Sequence, residues 1–321
     1  MFALKKQPDR DFIVLNITDP QLTGREWESG GREKQILTYT IDELVKRTSP
    51  DLITISGDLS YSNDLDSYRE FAKLFDSYKI PWALVWGNHD SQGGPEAVER
   101  QVGLITKHEF CLYERGDSSL GNGNYTIAIE EDGKIIYALI MMDSHDTMDY
   151  TDPDGKTSRQ WAHLLPQQLE WYKSEVERLG GVKSAIIMHI PIYAFRTAFE
   201  AAWNSEYDPE SVLPLDSYDT KYWNDGYKDS FGVKYEGVCS YPADLGEFEF
   251  IKNVGSTDTI LVGHDHVNNF VINYEGIKLA YSLKTGMGCY WNKHLNGGTV
   301  LRISSAGSSL EHVFVDINNL G

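Results

Sequence analysis

Three times in its first ninety residues the chain runs apolar for five or six residues and then stops at a polar side chain able to bind a metal or a proton. Phe12-Ile13-Val14-Leu15-Asn16-Ile17 stops at Thr18-Asp19-Pro20-Gln21. Asp51-Leu52-Ile53-Thr54-Ile55-Ser56 stops at Gly57-Asp58, and Trp82-Ala83-Leu84-Val85-Trp86 stops at Gly87-Asn88-His89-Asp90. Between them, Ile36, Leu37, Ile41, Leu44 and Val45 recur at helical spacing, as do Tyr68, Phe71, Phe75 and Tyr78. A strand–helix–strand–helix–strand order predicts a parallel sheet, because parallel neighbours need a crossover between them. Ligands of such sheets gather outside the carboxyl ends of the strands. Singly, Asp19-Pro20 and Gly87-Asn88 also read as turn pairs. The recurrence of the pattern argues for a site.

The same rule continues beyond these strands. Residues 125–129 and 135–142 flank an Asp132-Gly133 turn and predict a hairpin, so an antiparallel element joins the parallel one. Residues 166–179 predict a helix, and Ser184-Ala185-Ile186-Ile187-Met188 a buried strand ending in His189. Thr259-Ile260-Leu261-Val262 ends in Gly263-His264-Asp265-His266, and four short strands follow, at 270–274, 277–282, 299–303 and 312–316. Two stretches lack a period. Residues 146–159 are polar and read as a surface loop over the site. Residues 195–241, rich in Trp and Tyr, read as a lid-like, substrate-facing insertion or as a locally packed subdomain. The polar strand ends run from Asp19 to His266, so one site would be shared along the chain, which argues for a single domain over 1–321.

Bulk properties narrow the function. With 48 Asp and Glu against 29 Lys and Arg, the formal charge is −19. Such a surface argues against nucleic-acid polymers or anionic membranes as the main partner. A small anionic substrate stays compatible, since bound cations reverse the local potential. Three cysteines (Cys111, Cys239 and Cys289) offer no disulfide framework, and Lys5 and Lys6 are followed by no apolar leader. The expected setting is therefore a reducing cytoplasm, and no run is long enough to span a bilayer.

Collected, the strand-end residues are Asp19, Asp58, Asn88, His89, His189, His264 and His266. Carboxylate, amide and imidazole donors without a thiolate suit Fe, Mn or Zn. They are too many for one tetrahedral ion and enough for two ions sharing a bridge. In these motifs, taken in order, the chain resembles the calcineurin-like metallophosphoesterases. Gly57-Asp58-Leu59-Ser60-Tyr61, Gly123-Asn124-Tyr125 and His189-Ile190-Pro191 bring it nearest to the short, single-domain purple-acid-phosphatase-like proteins of plants and fungi. The fold implied is an α/β, four-layer αββα sandwich of two mixed sheets flanked by helices.

The resemblance also implies roles. Asp58 would bridge two metals, Asp19 and His266 would hold the first, and Asn88, His189 and His264 the second. His89 would protonate the leaving oxygen and Asp90 would orient it, while metal-activated hydroxide attacks phosphorus in line. One departure stands out: most of the superfamily has a metal-binding His where this chain has Gln21. Purple acid phosphatases lack that His too and use a Tyr, which falls here at Tyr61. Tyr61 would then be a ligand and the first ion iron, with Fe, Mn or Zn in the second site; otherwise Tyr61 is a packed aromatic and the first site binds weakly or through Gln21. His145 is a possible lining residue, and Arg159 and Arg196 are possible phosphate contacts. The activity implied is hydrolysis of a small phosphate monoester, with a phosphodiesterase and a non-catalytic metal-binding scaffold as rivals.

Overall fold

The computed structural model describes residues 1–62, 64–318 and 320. Fourteen strands appear among them: β1 Phe2–Lys5, β2 Phe12–Ile17, β3 Leu52–Ser56, β4 Trp82–Val85, β5 Tyr125–Glu131, β6 Lys134–Met141, β7 Thr147–Thr151, β8 Thr157–Trp161, β9 Lys183–Ile187, β10 Thr257–Val262, β11 Val271–Tyr274, β12 Ile277–Tyr281, β13 Gly297–Ser304 and β14 Gly307–Phe314. The α-helices are α1 Gly24–Ser29, α2 Arg32–Thr48, α3 Leu65–Ser77, α4 Asn88–Ser91, α5 Pro95–Ile105, α6 Pro166–Arg178, α7 Ala194–Ala202 and α8 Glu247–Val254.

The strands form two large mixed sheets, one of five in the order β14-β13-β2-β3-β4 and one of seven in the order β1-β5-β6-β9-β10-β12-β11, plus the separate pair β7-β8. As the β-α-β-α-β pattern predicts, β2, β3 and β4 are parallel neighbours. In the seven-stranded sheet, alternate side chains enter different cores, the period of a pleated strand buried on both faces. Leu139, Met141, Ile187 and Leu261 join one cluster with the five-stranded sheet and α2 and α3. Ile140, Ile186, Ile260 and Val262 point the other way, onto Leu169 and Tyr172 of α6, Phe195 and Phe199 of α7 and Ile251 of α8. The result is the four-layer αββα sandwich expected from the motifs.

Four details differ from the sequence reading. Residues 146–159 lie mostly in the β7–β8 hairpin, with Thr147 opposite Trp161, and do not form an irregular loop. β7 alternates only through Met148 and Tyr150, and β8 is polar up to Trp161, so hydrophobic alternation gives a weak signal; the Asp152 side chain fixes the turn by accepting from the N–H groups of Asp154 and Lys156 at 3.0 and 2.9 Å. β1, a half-buried four-residue edge strand, and α8, eight residues between two left-handed glycines, are too short for their periods to show. The last strand ends at Phe314, two residues short of its expected end. In the aromatic stretch, α7 is followed by short 3-10 turns, and Trp203 stacks on Tyr222 and meets Trp223 edge-on. Trp223 is fully buried, so much of this stretch is a packed aromatic layer on the second core.

Candidate metal centre

β2, β3 and β4 stop at one edge of their sheet, and β9 and β10 stop at the facing edge of the other. Asp19 and Asp58 take left-handed backbone conformations (φ 53° and 55°) in the turns after β2 and β3. Side chains with a Cβ rarely adopt this conformation, and it persists where surrounding structure enforces it. Here the two turns are stitched together, with Asp19 N–H donating to Gly57 O and Gln21 N–H to Asp58 O, each at 3.1 Å. Glycine is needed after β4 and β10 for close approach: a Cβ on Gly87 would overlap the Asp58 carboxylate, and one on Gly263 would overlap Thr18 and Asp19.

The ligand atoms converge as two overlapping groups. His189 Nε2 lies 3.0 Å from Asn88 Oδ1, 3.2 Å from His264 Nδ1 and 3.4 Å from Asp58 Oδ2. On the other side, His266 Nε2 lies 3.3 Å from Asp19 Oδ1. Single ligand atoms of Asp19, Asp58 and His189 fall within 4.8 Å of one another and join the groups. The two sheets are tied directly here, since His264 N–H donates to Asp19 Oδ2 at 3.0 Å.

Burial would neutralise Asp19 and Asp58, but His266 and His189 outweigh it for Asp19, and His189 for Asp58, and both carboxyls are held below their usual range. Burial would lower His189 as well; Asp58 and then Asp19 reverse this and push it up to about 10. His264 goes the other way, to about 3, through burial and then the neighbouring His189 charge. The centre thus holds two ionised carboxylates almost wholly out of water, a costly arrangement that cations relieve. Asp19 Oδ1 and Gln21 Oε1 are buried acceptors with no hydrogen-bond donor. Buried acceptors that lack a donor are open to a cation, so these residues fit a pair of ions. Asp58 is central to both groups, Asp19 and His266 would hold one ion, and Asn88, His189 and His264 the other.

His89 stands at the rim, with Nε2 4.0 Å from Asp58 Oδ2 and Nδ1 3.2 Å from Gln92 Oε1. The resemblance has Asp90 orient His89; the hydrogen bonds of its carboxylate also brace the turn that carries Asp58. It accepts from the N–H groups of Asp58, Gly87 and Leu59 at 2.7, 2.8 and 3.1 Å and from Tyr68 OH at 2.7 Å. Burial and the Asp58 charge push Asp90 up to about 7 against those donors. Tyr61 is 51% exposed and its ring lies on His89, centroids 4.6 Å apart. Gln21 is buried and donates from Nε2 to Asp58 Oδ2 at 2.8 Å.

The remaining sequence candidates have structural partners. His145 Nε2 meets Gln168 Oε1 at 2.8 Å. Arg159 pairs with Asp149 across the hairpin at 3.3 Å, and Arg196 donates to Ser240 Oγ at 2.8 Å. Tyr290, Trp161 and Lys284 also contribute and carried no signal in the sequence. The Tyr290 ring stacks on His266 with centroids 4.1 Å apart, and Trp161 meets His264 edge-on at 4.4 Å. Buried Lys284 donates from Nζ to the Asp19 carbonyl. Asp265 steadies the turn between the two histidines by accepting from Cys239 N–H at 3.0 Å. The strand-end rule finds the candidate ligands and Asp265; Tyr290, Trp161 and Lys284 come from elsewhere in the chain.

Similar chains include probable inactive purple acid phosphatase 14 of Arabidopsis thaliana, 25% identical, over 87% of this chain and 71% of that protein. Phosphatase DCR2 of Saccharomyces cerevisiae is 25% identical over 94% of this chain but only 46% of its own length. Among solved structures, a dimetal phosphatase from Danio rerio superposes with a TM-score of 0.57 over 96% of this chain and 98% of that one, at 12% identity, a likeness of fold. The model of calcineurin-like phosphoesterases matches residues 13–268, from β2 through the His264–His266 turn, and the chain therefore belongs to that family.

Proposed function

We propose that the chain is a dinuclear-metal phosphoesterase that hydrolyses a small phosphate monoester, with Fe, Mn or Zn as its ions. The observation that carries this reading is the convergence of Asp19, Asp58 and His189 within 4.8 Å, beside an otherwise unexplained His89 at the rim. When bound, two such ions neutralise phosphoryl oxygens and activate water.

The chain's own residues supply the rest. Asp58, held by the N–H groups of its turn and by Asp90, fixes the spacing of the two ligand groups. Gln92 Oε1 can only accept, so His89 Nδ1 keeps its hydrogen and Nε2 is the nitrogen that delivers a proton to the leaving oxygen. Its side chain is only 22% exposed, enough for a substrate to reach it. A monoester is preferred because the two phosphatase-named relatives above align over most of this chain. The words "probable inactive" in one of those names favour a second reading, a metal-binding scaffold without turnover.

Rates on an aryl phosphate monoester and its diester, after loading with each metal in turn, test the proposal. The expected result is metal-dependent turnover faster on the monoester, falling about 10²–10⁴-fold in His89→Ala with metal content unchanged. Faster diester hydrolysis would make the chain a phosphodiesterase. Metal binding without turnover on either ester would support the scaffold.

A further inference from the structure

Gln21 and Tyr61 compete for one role, and the structure separates them. Gln21 lies two residues after Asp19, 2% exposed, with its backbone in the left-handed region at φ 48°. Its backbone N–H is tied to Asp58 O, and its side-chain Nε2 donates to Asp58 Oδ2 at 2.8 Å. That bond fixes which end of the amide faces which way, because an oxygen in place of Nε2 would repel the carboxylate. The amide oxygen Oε1 is left buried and without a donor, as is Asp19 Oδ1 in the same turn. A buried carbonyl oxygen without a partner is costly and is retained where something else binds it. The far side of the turn is closed, since a Cβ on Gly288 would overlap the backbone carbonyls of Pro20 and Gln21. Tyr61, by contrast, is 51% exposed and its ring lies against His89 at a tilt of 37°.

We propose that the Gln21 side-chain oxygen, and not the Tyr61 phenolate, completes the first metal site with Asp19, Asp58 and His266, while Tyr61 forms the wall beside His89 that a substrate meets. The inference rests on the dinuclear reading above. It changes the chemistry of the site. A neutral amide brings one negative charge fewer than a phenolate, so the first seat suits a divalent ion and gives ferric iron no tyrosinate to bind. It also gives Tyr61 a task at the rim, since it restrains the His89 ring and presents an aromatic face to the leaving group.

The test is metal titration by calorimetry with Mn²⁺ and Zn²⁺, together with visible absorption after ferric loading, on the wild type, Gln21→Leu, Gln21→His and Tyr61→Phe. We expect two ions per wild-type chain and no tyrosinate charge-transfer band. Gln21→Leu should weaken one of the two sites by about 10-fold or more, by analogy with the 10–100-fold typical even for outer-sphere partners. Gln21→His, whose imidazole is the better ligand, should restore or exceed wild-type affinity, which separates lost ligation from misfolding. Tyr61→Phe should keep both affinities and move KM. A purple ferric protein whose band vanishes in Tyr61→Phe would overturn the inference and leave the dinuclear reading standing. So would unchanged affinities in Gln21→Leu. A wild type that binds fewer than two ions would overturn both.

Discussion

Asp90 shows how a single residue acts on a site through the backbone around it. Its two oxygens gather backbone N–H groups from both sides of the Asp58 turn and the Tyr68 hydroxyl. Replacing it with Asn puts an NH₂ group where N–H donors point, which leaves buried donors unsatisfied at about 1–3 kcal/mol. Asp90→Asn should therefore lower the denaturation midpoint and weaken metal binding, both measurable on one preparation; unchanged metal affinity would mean that Asp58 holds its place without this brace. Residue identities were legible here, since Asp19, Asp58, Asn88, His89, His189, His264 and His266 all follow strand ends. What each carboxylate holds was not legible. That Asp90 also accepts from Asp58 and Leu59, 32 and 31 positions earlier, could not be read from its place in the chain.

At the scale of elements, the strands with buried faces were readable and the short or polar ones were not. β2 spans Phe12–Ile17 as its run of apolar residues dictates, and all six are buried. α8 escaped because it has eight residues and no side-chain cap at its start. What anchors it is Glu247, 3% exposed, whose Oε1 accepts from Leu164 N–H at 2.7 Å ahead of α6. Burial, opposed by that N–H and aided by Asp244, pushes the Glu247 carboxyl up to about 7. The folded chain then keeps its proton over a range in which the unfolded chain, with an ordinary carboxyl near 4.5, has lost it. Stability from this group is lost as pH rises from about 4.5 to about 7, by roughly 3 kcal/mol in all. Glu247→Gln keeps the acceptor and removes the ionisation. Urea midpoints at pH 5 and pH 8 should show the variant gaining on wild type at the higher pH; an equal difference at both values would contradict the shift.

Across the whole molecule, the centre belongs to neither sheet alone. The five-stranded sheet supplies Asp19, Asp58 and Asn88, and the seven-stranded sheet supplies His189, His264 and His266. The sequence shows the strand ends in order, but it does not show that two sheets face each other with those ends at one edge. That depends on side chains such as Leu139, Ile187 and Leu261 packing across the interface, and apolar runs buried on both faces give no hint of which face meets what. The chain carries a formal charge of −19, this buried carboxylate pair included, so the phosphorylated substrate proposed above would depend on the ions for its attraction. The claim that two ions share Asp58 is therefore tested most directly by anomalous scattering from crystals grown with Mn²⁺. The account predicts two peaks about 3.5–4 Å apart, one beside Asp19 and His266 and one beside Asn88, His189 and His264, with Asp58 between them. A single peak, or two that do not share Asp58, would contradict it.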